Sequence, residues 1–177
     1  MSKVSKLHKE SSPTVAGVYV LTCSTSKFKQ LQERQKPDDI SGDIIERLAA
    51  NAGHRIAGRR LIADSKAMIR KTMRTALADR KVDVLIVTGG TGLSHTDVTF
   101  ESISPLLDRE IPGFGEIFRR ISYDGIGSAA MMSRAFAGTV GAKAVFCLPG
   151  SPDGVKTAME RLILPELGHI IGLTRVD

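Results

Sequence analysis

The chain carries five short runs rich in apolar residues, each bounded by polar residues or glycines. They lie at residues 15–23, 54–62, 84–87, 135–140 and 143–148. Runs of this length are typical of strands buried in a sheet. The run at 54–62 also contains charges and Gly58, which predicts a strand toward the edge of that sheet. The last two runs meet at Gly141, so we expect a hairpin and therefore a mixed sheet.

Between these runs, apolar residues recur every three or four positions, which predicts helices. The predicted helices cover residues 44–49, 64–77, 97–107, 117–121 and 151–163. Two stretches lack this periodicity. Residues 27–36 are polar and are predicted to be a mobile excursion that could serve as a lid. Residues 111–116 are predicted to be a glycine-rich turn outside the core, whereas Met131 and Met132 are predicted to fill core space.

The central run at 84–87 leads into a glycine-rich loop at 89–92, GGTG. Glycines allow a phosphate to approach the backbone, and the helix predicted from Asp97 points its first N–H groups at the same gap. The loop is therefore predicted to be an anion site. It is not a dinucleotide fingerprint, because His95 stands where the third glycine is needed, and no lysine follows to make a P-loop.

Two acids, Asp64 and Asp97, follow the ends of two predicted strands. Each taken alone is explained as a helix N-cap. The carboxyl ends of parallel strands meet at one edge of a sheet, so the two acids could instead converge on one crevice as paired metal ligands. Both interpretations stay open on the residues alone.

The chain has 177 residues, 42% hydrophobic and 25% charged, which suits one globular domain over residues 13–177 after a polar, disordered tail at 1–12. Its apolar runs are shorter than the roughly 20 residues that span a membrane, and the N-terminus lacks a signal core. We therefore expect a cytoplasmic protein without a membrane partner. Cys23 and Cys147 lie in or at the end of apolar runs and are expected to be buried thiols.

A net charge of +6 raises the possibility of nucleic-acid binding. The basic residues are dispersed, however, and only six Phe and two Tyr, with no Trp, are present to stack on bases. A solvated positive surface is favoured, and no nucleic-acid partner is expected. The four histidines are scattered without the spacing of a zinc site.

Four motifs stand in fixed order along the chain: TGGTGLSHTDVT, IPGFGEIFR, MMSRAFAG and LPGSP. Over roughly residues 14–170 the chain thereby resembles the molybdenum-cofactor biosynthesis family of MoaB and MogA, which is related to the G domain of gephyrin. The triplet Phe-Gly-Glu at 114–116 and the run Leu-Asp-Arg-Glu at 107–110 favour the MoaB branch. The chain departs from the family at Ser24 to Lys27, where many members have Ser-Asp or Ser-Asn with an arginine nearby.

The resemblance implies a three-layer α/β/α sandwich with a mostly parallel, mixed central sheet. It also implies a molybdopterin adenylyltransferase, which joins AMP from ATP to the molybdopterin phosphate with Mg²⁺ and releases pyrophosphate. Members are homotrimers or homohexamers, and hand-over of the product to a molybdenum-insertion protein is expected. The alternatives are a non-catalytic molybdopterin-binding or carrier protein of the same fold and, from the charge, a nucleic-acid-binding protein.

The family's two essential aspartates correspond to Asp64 and Asp97, which are expected to be catalytic and to bind Mg²⁺. The residues expected to bind substrate are Gly89, Gly90, Thr91, Gly92, Ser133, Arg134, Pro149, Gly150 and Ser151. For Arg134 the residues themselves allow two interpretations. Its planar guanidinium suits a phosphate, but a surface salt bridge explains it equally well.

Overall fold

A six-stranded sheet forms the middle layer of the computed structural model, which describes residues 15–175. The strands are β1 Gly17–Cys23, β2 Arg55–Ile62, β3 Val84–Thr88, β4 Arg109–Glu110, β5 Phe136–Val140 and β6 Lys143–Leu148. Their order across the sheet is β2-β1-β3-β6-β5-β4. The first four in that order run parallel, β5 is antiparallel to β6, and β4 is antiparallel to β5, so β5 alone among these six strands runs in the opposite direction. The sheet is therefore mixed and mostly parallel, with β2 at an edge, as predicted.

Helices cover both faces of this sheet. They are α1 Thr25–Gln32, α2 Ile40–Asn51, α3 Lys66–Ala78, α4 Thr99–Ile103, α5 Pro112–Ile126, α6 Pro152–Ala158 and α7 Leu164–Thr174. Two 3₁₀ turns follow α4 and α5, at Ser104–Leu106 and Gly127–Met132, and a π-helical stretch, Met159–Ile163, joins α6 to α7. Within residues 15–175, no helix is long and apolar enough to cross a membrane.

Two apolar clusters, one on each face of the sheet, form the core. On one face α2, α5, α6 and α7 pack over the strands, with Ile45 and Phe118 among the buried side chains. On the other face α3 and α4 do so, with Ile69 and Ile103 fully buried. Strand β3 is buried along its whole length because alternate side chains enter each cluster. This confirms the three-layer α/β/α sandwich. The predicted tail at 1–12 lies outside the described residues.

The prediction of a mobile excursion at 27–36 missed a helix, because Thr25–Gln32 is helical and only residues 33–36 of that range lie outside regular elements. Ser24 begins the helix, and its hydroxyl accepts the N–H of Lys27. Helix α1 buries none of its residues. Its only apolar side chains are Phe28 and Leu31, too few for the repeated apolar pattern that identifies a helix in a sequence.

The prediction of a turn outside the core at 111–116 was also wrong. Helix α5 begins at Pro112, whose fixed φ suits a first helical position. Phe114 is buried, and Gly115 is packed so closely that a Cβ there would lie 2.5 Å from the Ala135 carbonyl oxygen. Met131 and Met132, predicted to be core, are instead exposed.

Candidate functional site

The carboxyl ends of β1, β2, β3 and β6 open onto one edge of the sheet. After β1 the chain first builds β2 on one side and then β3 on the other, and such a reversal leaves a crevice at this edge. A cavity of about 470 Å³ occupies it. The polar and charged residues around it are Thr22, Ser24, Lys27, Asp39, Ser41, Asp64, Thr88, Thr91, Asp97 and Ser133, with the backbone at Gly89, Gly90, Gly92, Pro149 and Gly150.

The glycine loop forms the floor of this cavity. Gly89 and Gly90 have φ of +95° and +64°, a conformation that side chains rarely adopt. A Cβ at Gly89 would lie 2.2 Å from the Cys23 carbonyl oxygen, and one at Gly90 would lie 2.5 Å from the Thr99 hydroxyl. The glycines are therefore required by the packing of the loop against β1 and α4, in addition to any ligand.

The loop presents unused backbone donors. The Gly89 N–H donates to the Leu148 carbonyl at 3.1 Å, which fixes the loop to β6. The next three N–H groups, at residues 90–92, have no acceptor within residues 15–175. Hydrogen-bond donors of this kind suit a phosphate or another anion.

Asp97 lies beside this loop. Its Oδ2 accepts the Ser94 N–H at 3.0 Å and lies 2.7 Å from where a Cβ on Gly92 would stand. Helix α4 begins later, at Thr99, and its N-cap residue is Val98. Asp97 is therefore not a helix cap, and it lines the cavity.

Asp64 lies on the same cavity, at the end of β2. Its Oδ2 accepts the Thr25 N–H at 2.8 Å and the Thr25 hydroxyl at 2.9 Å, so it holds the first residue of α1. The N-cap of its own following helix is Ser65. Asp64 and Asp97 thus line one cavity, as expected from the strand ends.

Hydroxyl groups fix the turn after β6. The Thr88 hydroxyl donates to the Pro149 carbonyl at 2.7 Å, and the Ser41 hydroxyl donates to the Gly150 carbonyl at 2.8 Å. Ser151 is at the N-cap position of α6, as predicted, but its side chain makes no capping hydrogen bond and it does not line the cavity.

Arg134 braces the loop that carries Asp97. Its Nε donates to the Gly92 carbonyl at 2.9 Å, and its Nη2 donates to the Asp97 carbonyl at 3.0 Å. The guanidinium also pairs with Glu101 and lies over the Phe100 ring. The hydrogen bond from Arg134 lowers the pKa of the Glu101 carboxyl, against a smaller opposing effect of burial. Ser133 lines the cavity but Arg134 does not. The assignment of Arg134 to substrate binding therefore stays a prediction.

Sequence reasoning did not assign Asp39 to the site, although it is a buried acid on the cavity wall. Burial opposes its ionisation, but Arg59, the Thr22 hydroxyl and the Gly42 N–H together outweigh burial and lower its pKa. In the structure Asp39 is the N-cap of α2, which begins at Ile40, earlier than the predicted 44. A cap pattern in a sequence predicts a helix start and gives no sign of a place on the cavity wall.

The acids of the cavity fit Mg²⁺, which prefers oxygen ligands and is commonly held by one or two carboxylates together with substrate phosphates. Asp64 and Asp97 each use Oδ2 for hydrogen bonds within the chain, and neither Oδ1 makes one within the described residues. Across residues 15–175 there is no group of three or more His, Cys, Asp or Glu side chains placed to hold a metal ion. These two acids would therefore need ligand oxygens to complete a site.

Comparison with known proteins gives consistent matches. Residues 19–169 match the family described as "Probable molybdopterin binding domain". The chain is 43% identical over 164 residues to molybdenum cofactor biosynthesis protein B of Bacillus cereus, a match that covers 92% of this chain and 93% of that protein. It is 41% identical over 171 residues to the Bacillus subtilis protein of the same name, with 96% of each chain covered.

A solved structure gives the same result. The tungsten cofactor synthesizing protein MoaB from Pyrococcus furiosus is 33% identical and superposes with a TM-score of 0.84. That match covers 93% of this chain and 100% of the other. Sequence and fold therefore agree over nearly the whole length.

Proposed function

Because the chain belongs to the MoaB/MogA family of molybdenum cofactor biosynthesis proteins, we propose that it is a molybdopterin adenylyltransferase. It would join AMP from ATP to the phosphate of molybdopterin. The observation that carries this proposal is the convergence of Asp64 and Asp97 on one cavity whose floor offers unused backbone N–H groups. Negative side chains beside anion-binding amides suit a site for phosphates and a divalent cation together.

The proposed reaction needs no nucleophile from the protein. A phosphate oxygen of the pterin forms a bond to the α-phosphorus of ATP. The bond from that phosphorus to the bridging oxygen breaks, and the bridging oxygen leaves with the electron pair as part of pyrophosphate. Phosphoryl-group transfer of this kind depends on alignment of the two substrates and on stabilisation of charge.

The residues of the cavity supply both requirements. The N–H groups at residues 90–92 would bind phosphate oxygens and fix their direction, and the turn at Pro149 and Gly150, which lies against Gly89, also lines the cavity. Asp64 and Asp97 would hold Mg²⁺. The ion, when bound, offsets negative charge on the phosphates.

The proposal includes assembly of the chain into a homotrimer or homohexamer. Its support is a group of exposed apolar side chains at the end of α5 and in the turn after it, namely Tyr123, Ile126, Met131 and Met132. Several exposed apolar side chains in one part of a surface commonly mark a protein contact. Light scattering after size-exclusion chromatography would give the molar mass; a monomer would contradict this part.

Incubation of the protein with ATP, Mg²⁺ and molybdopterin tests the function. We expect one pyrophosphate for each adenylylated pterin. Molybdopterin binding without pyrophosphate release would favour the non-catalytic carrier of the same fold, and absence of binding would contradict both.

A further inference from the structure

Negative charge dominates the side chains around the cavity. Three carboxylates line it, those of Asp39, Asp64 and Asp97, and Lys27 is the one basic residue among its lining residues in the described chain. Asp39 is paired with Arg59 at 2.7 Å, so its charge is largely offset within the protein. The other two acids face the cavity without a basic partner within ion-pair distance in residues 15–175. A phosphate-bearing ligand therefore meets a site in which Lys27 is the main positive side chain.

The ammonium group of Lys27 is available to a ligand. Its Nζ donates to the Asp38 carbonyl oxygen at 2.5 Å, and it has no carboxylate partner within residues 15–175. An ammonium has three donors, so two remain. The contact with Asp38 holds the group near the cavity while leaving its charge unpaired.

Of the other basic groups near the site, the two guanidinium groups are already occupied, and Lys66 lines the neighbouring cavity beside Asp97 and Glu101 instead of this one. Arg59 binds the carboxylates of Asp39, Asp43 and Glu46. Arg134 binds Glu101 and two carbonyl groups of the glycine loop region. To reach a phosphate, either guanidinium would have to break existing ion pairs, whereas Lys27 would not.

The backbone that carries Lys27 is fixed to the site. Thr25, two positions before Lys27, is bound through its N–H and its hydroxyl to Asp64. The Ser24 N–H donates to the Ile62 carbonyl at 2.9 Å, which attaches the start of α1 to the end of β2. The first turn of α1, which carries Lys27, is thus attached to Asp64 at the end of β2, and both side chains line the cavity, so that they can act on the same ligand.

We propose that Lys27 is a binding residue for a phosphate group of the ligand that occupies this cavity. The inference rests on the proposed function for the identity of that ligand, which is either ATP or the phosphate of molybdopterin. The phosphate contact itself requires no turnover.

The test measures the affinity of ATP, adenosine and molybdopterin for the wild-type protein, for Lys27→Met and for Lys27→Arg by calorimetry. Lys29→Met is the matched control, because Lys29 lies on the same helix, is exposed, pairs with Glu33 at 4.0 Å and does not line the cavity. We expect Lys27→Met to weaken binding of one phosphate-bearing ligand about tenfold, the size of one hydrogen bond to a charged group. Lys27→Arg should retain most of the affinity, and Lys29→Met should retain all of it.

Ionic strength separates a charge contact from a structural effect. Between about 0.01 M and about 0.15 M salt the Debye length falls from about 30 Å to about 8 Å. Affinity of the wild type should fall more over this range than that of Lys27→Met. Adenosine carries no phosphate, so its affinity should be the same in all variants if the helix is intact.

The outcomes are distinct. A loss confined to ATP assigns Lys27 to the nucleotide, and a loss confined to molybdopterin assigns it to the pterin phosphate. Affinities unchanged for both ligands, an equal loss for adenosine, or absence of binding to the wild type would overturn the inference. The wild type could bind ATP in a way that depends on Lys27 and yet release no pyrophosphate. That result would contradict the proposed transferase activity and would still support the role of Lys27 in phosphate binding.

Discussion

Asp97 and Asp64 line the same cavity, but different parts of the chain hold them in place. The Asp97 carboxylate accepts an N–H from Ser94, three positions earlier in its own loop. The Asp64 carboxylate accepts two hydrogen bonds from Thr25, 39 positions earlier, at the start of α1. One acid is positioned locally, and the other is positioned by contact between distant segments.

This difference predicts how a substitution near each of the two acids should affect the site. A local contact forms together with its loop, whereas the contact between α1 and β2 exists only when the intervening chain is folded in place. Helix α1 buries no residue of its own, so the hydrogen bonds of Thr25 are a large part of what holds its N-terminus there. Changes near Asp97 should therefore act on the loop alone, and changes at Thr25 should act through the docking of α1.

The largest effect is expected from Asp97→Asn. The amide keeps the shape of the side chain and an oxygen for the Ser94 N–H, but it lacks the charge needed for a cation. Adenylyl transfer should fall by more than about a hundredfold, since even outer-shell changes at metal sites cost about ten- to a hundredfold. Molybdopterin affinity should stay within about twofold. Pyrophosphate release and pterin binding are the two measurements.

Asp153→Asn is the control for Asp97→Asn, because Asp153 is an exposed acid in the first turn of α6 and does not line the cavity. It should transfer at the parent's rate. If Asp97→Asn also forms product at that rate, the assignment of Asp97 to a metal ion is wrong.

Gly90→Ala should affect the glycine loop next to Asp97 and the position of Asp64 at the same time. Gly90 has a positive φ, and a Cβ there would lie 2.5 Å from the Thr99 hydroxyl and 2.9 Å from Oδ1 of Asp64. Backbone strain and overpacking together should lower the free energy of unfolding by about 2 to 4 kcal/mol. Urea unfolding measures it. Gly113→Ala is the control, because Gly113 is helical and nothing lies within 4 Å of its added Cβ. Equal stability of the two variants would contradict the packing argument.

The sequence allowed the Asp97 side of the site to be predicted far better than the Asp64 side. The strand at 84–87, the glycines and the following acid are contiguous, so one short stretch carries the loop. Parallel strands end at the same edge of a sheet, which is why the two acids were expected to be able to converge there. Both predictions depend on patterns that are local in sequence or common to all parallel sheets.

The Asp64 side depends on contacts that no local pattern reveals. Helix α1 has no buried face, so periodicity gives no sign of it. The role of Asp39 requires Arg59 on a neighbouring strand, 20 positions away. Helix α5 was missed at its start for another reason, because Gly115 is read as a loop residue when its function is to admit the Ala135 carbonyl.

Arg134→Met should remove the hydrogen bonds that fix the loop carrying Asp97 and leave the contacts of Asp64 unchanged. We expect kcat to fall about tenfold, as for other residues that orient a ligand-binding group. If Arg134 only braces the loop, KM for ATP and for molybdopterin should change little. A rise in KM with kcat unchanged would instead assign the guanidinium to substrate. Steady-state kinetics therefore separates the two roles.

The same variant has an expected pH signature. Arg134 lowers the pKa of Glu101 in the folded protein, so this ion pair stabilises the fold above the unfolded-state pKa and is lost as the pH falls through the lower folded-state value. The difference in unfolding free energy between wild type and Arg134→Met should be constant above about pH 5 and should shrink below it. A difference that grows on acidification would contradict the pairing.

The smallest effect is expected from Thr25→Val, which tests the long-range contact. Valine removes both hydroxyl bonds to Asp64, the one donated to Oδ2 at 2.9 Å and the one accepted from the Asp64 N–H at 3.1 Å. It keeps the bond from the Thr25 N–H to Oδ2 at 2.8 Å, so part of the contact remains. Two exposed hydrogen bonds of about 0.5 kcal/mol each, the lower end of the usual range, correspond to a fall in transfer rate of about fivefold. Thr75→Val, which removes an exposed hydroxyl bond on α3, should have no such effect. If Thr25→Val slows transfer more than Arg134→Met does, the N–H bond alone does not hold α1, and the site depends more on its distant contact than on its local loop.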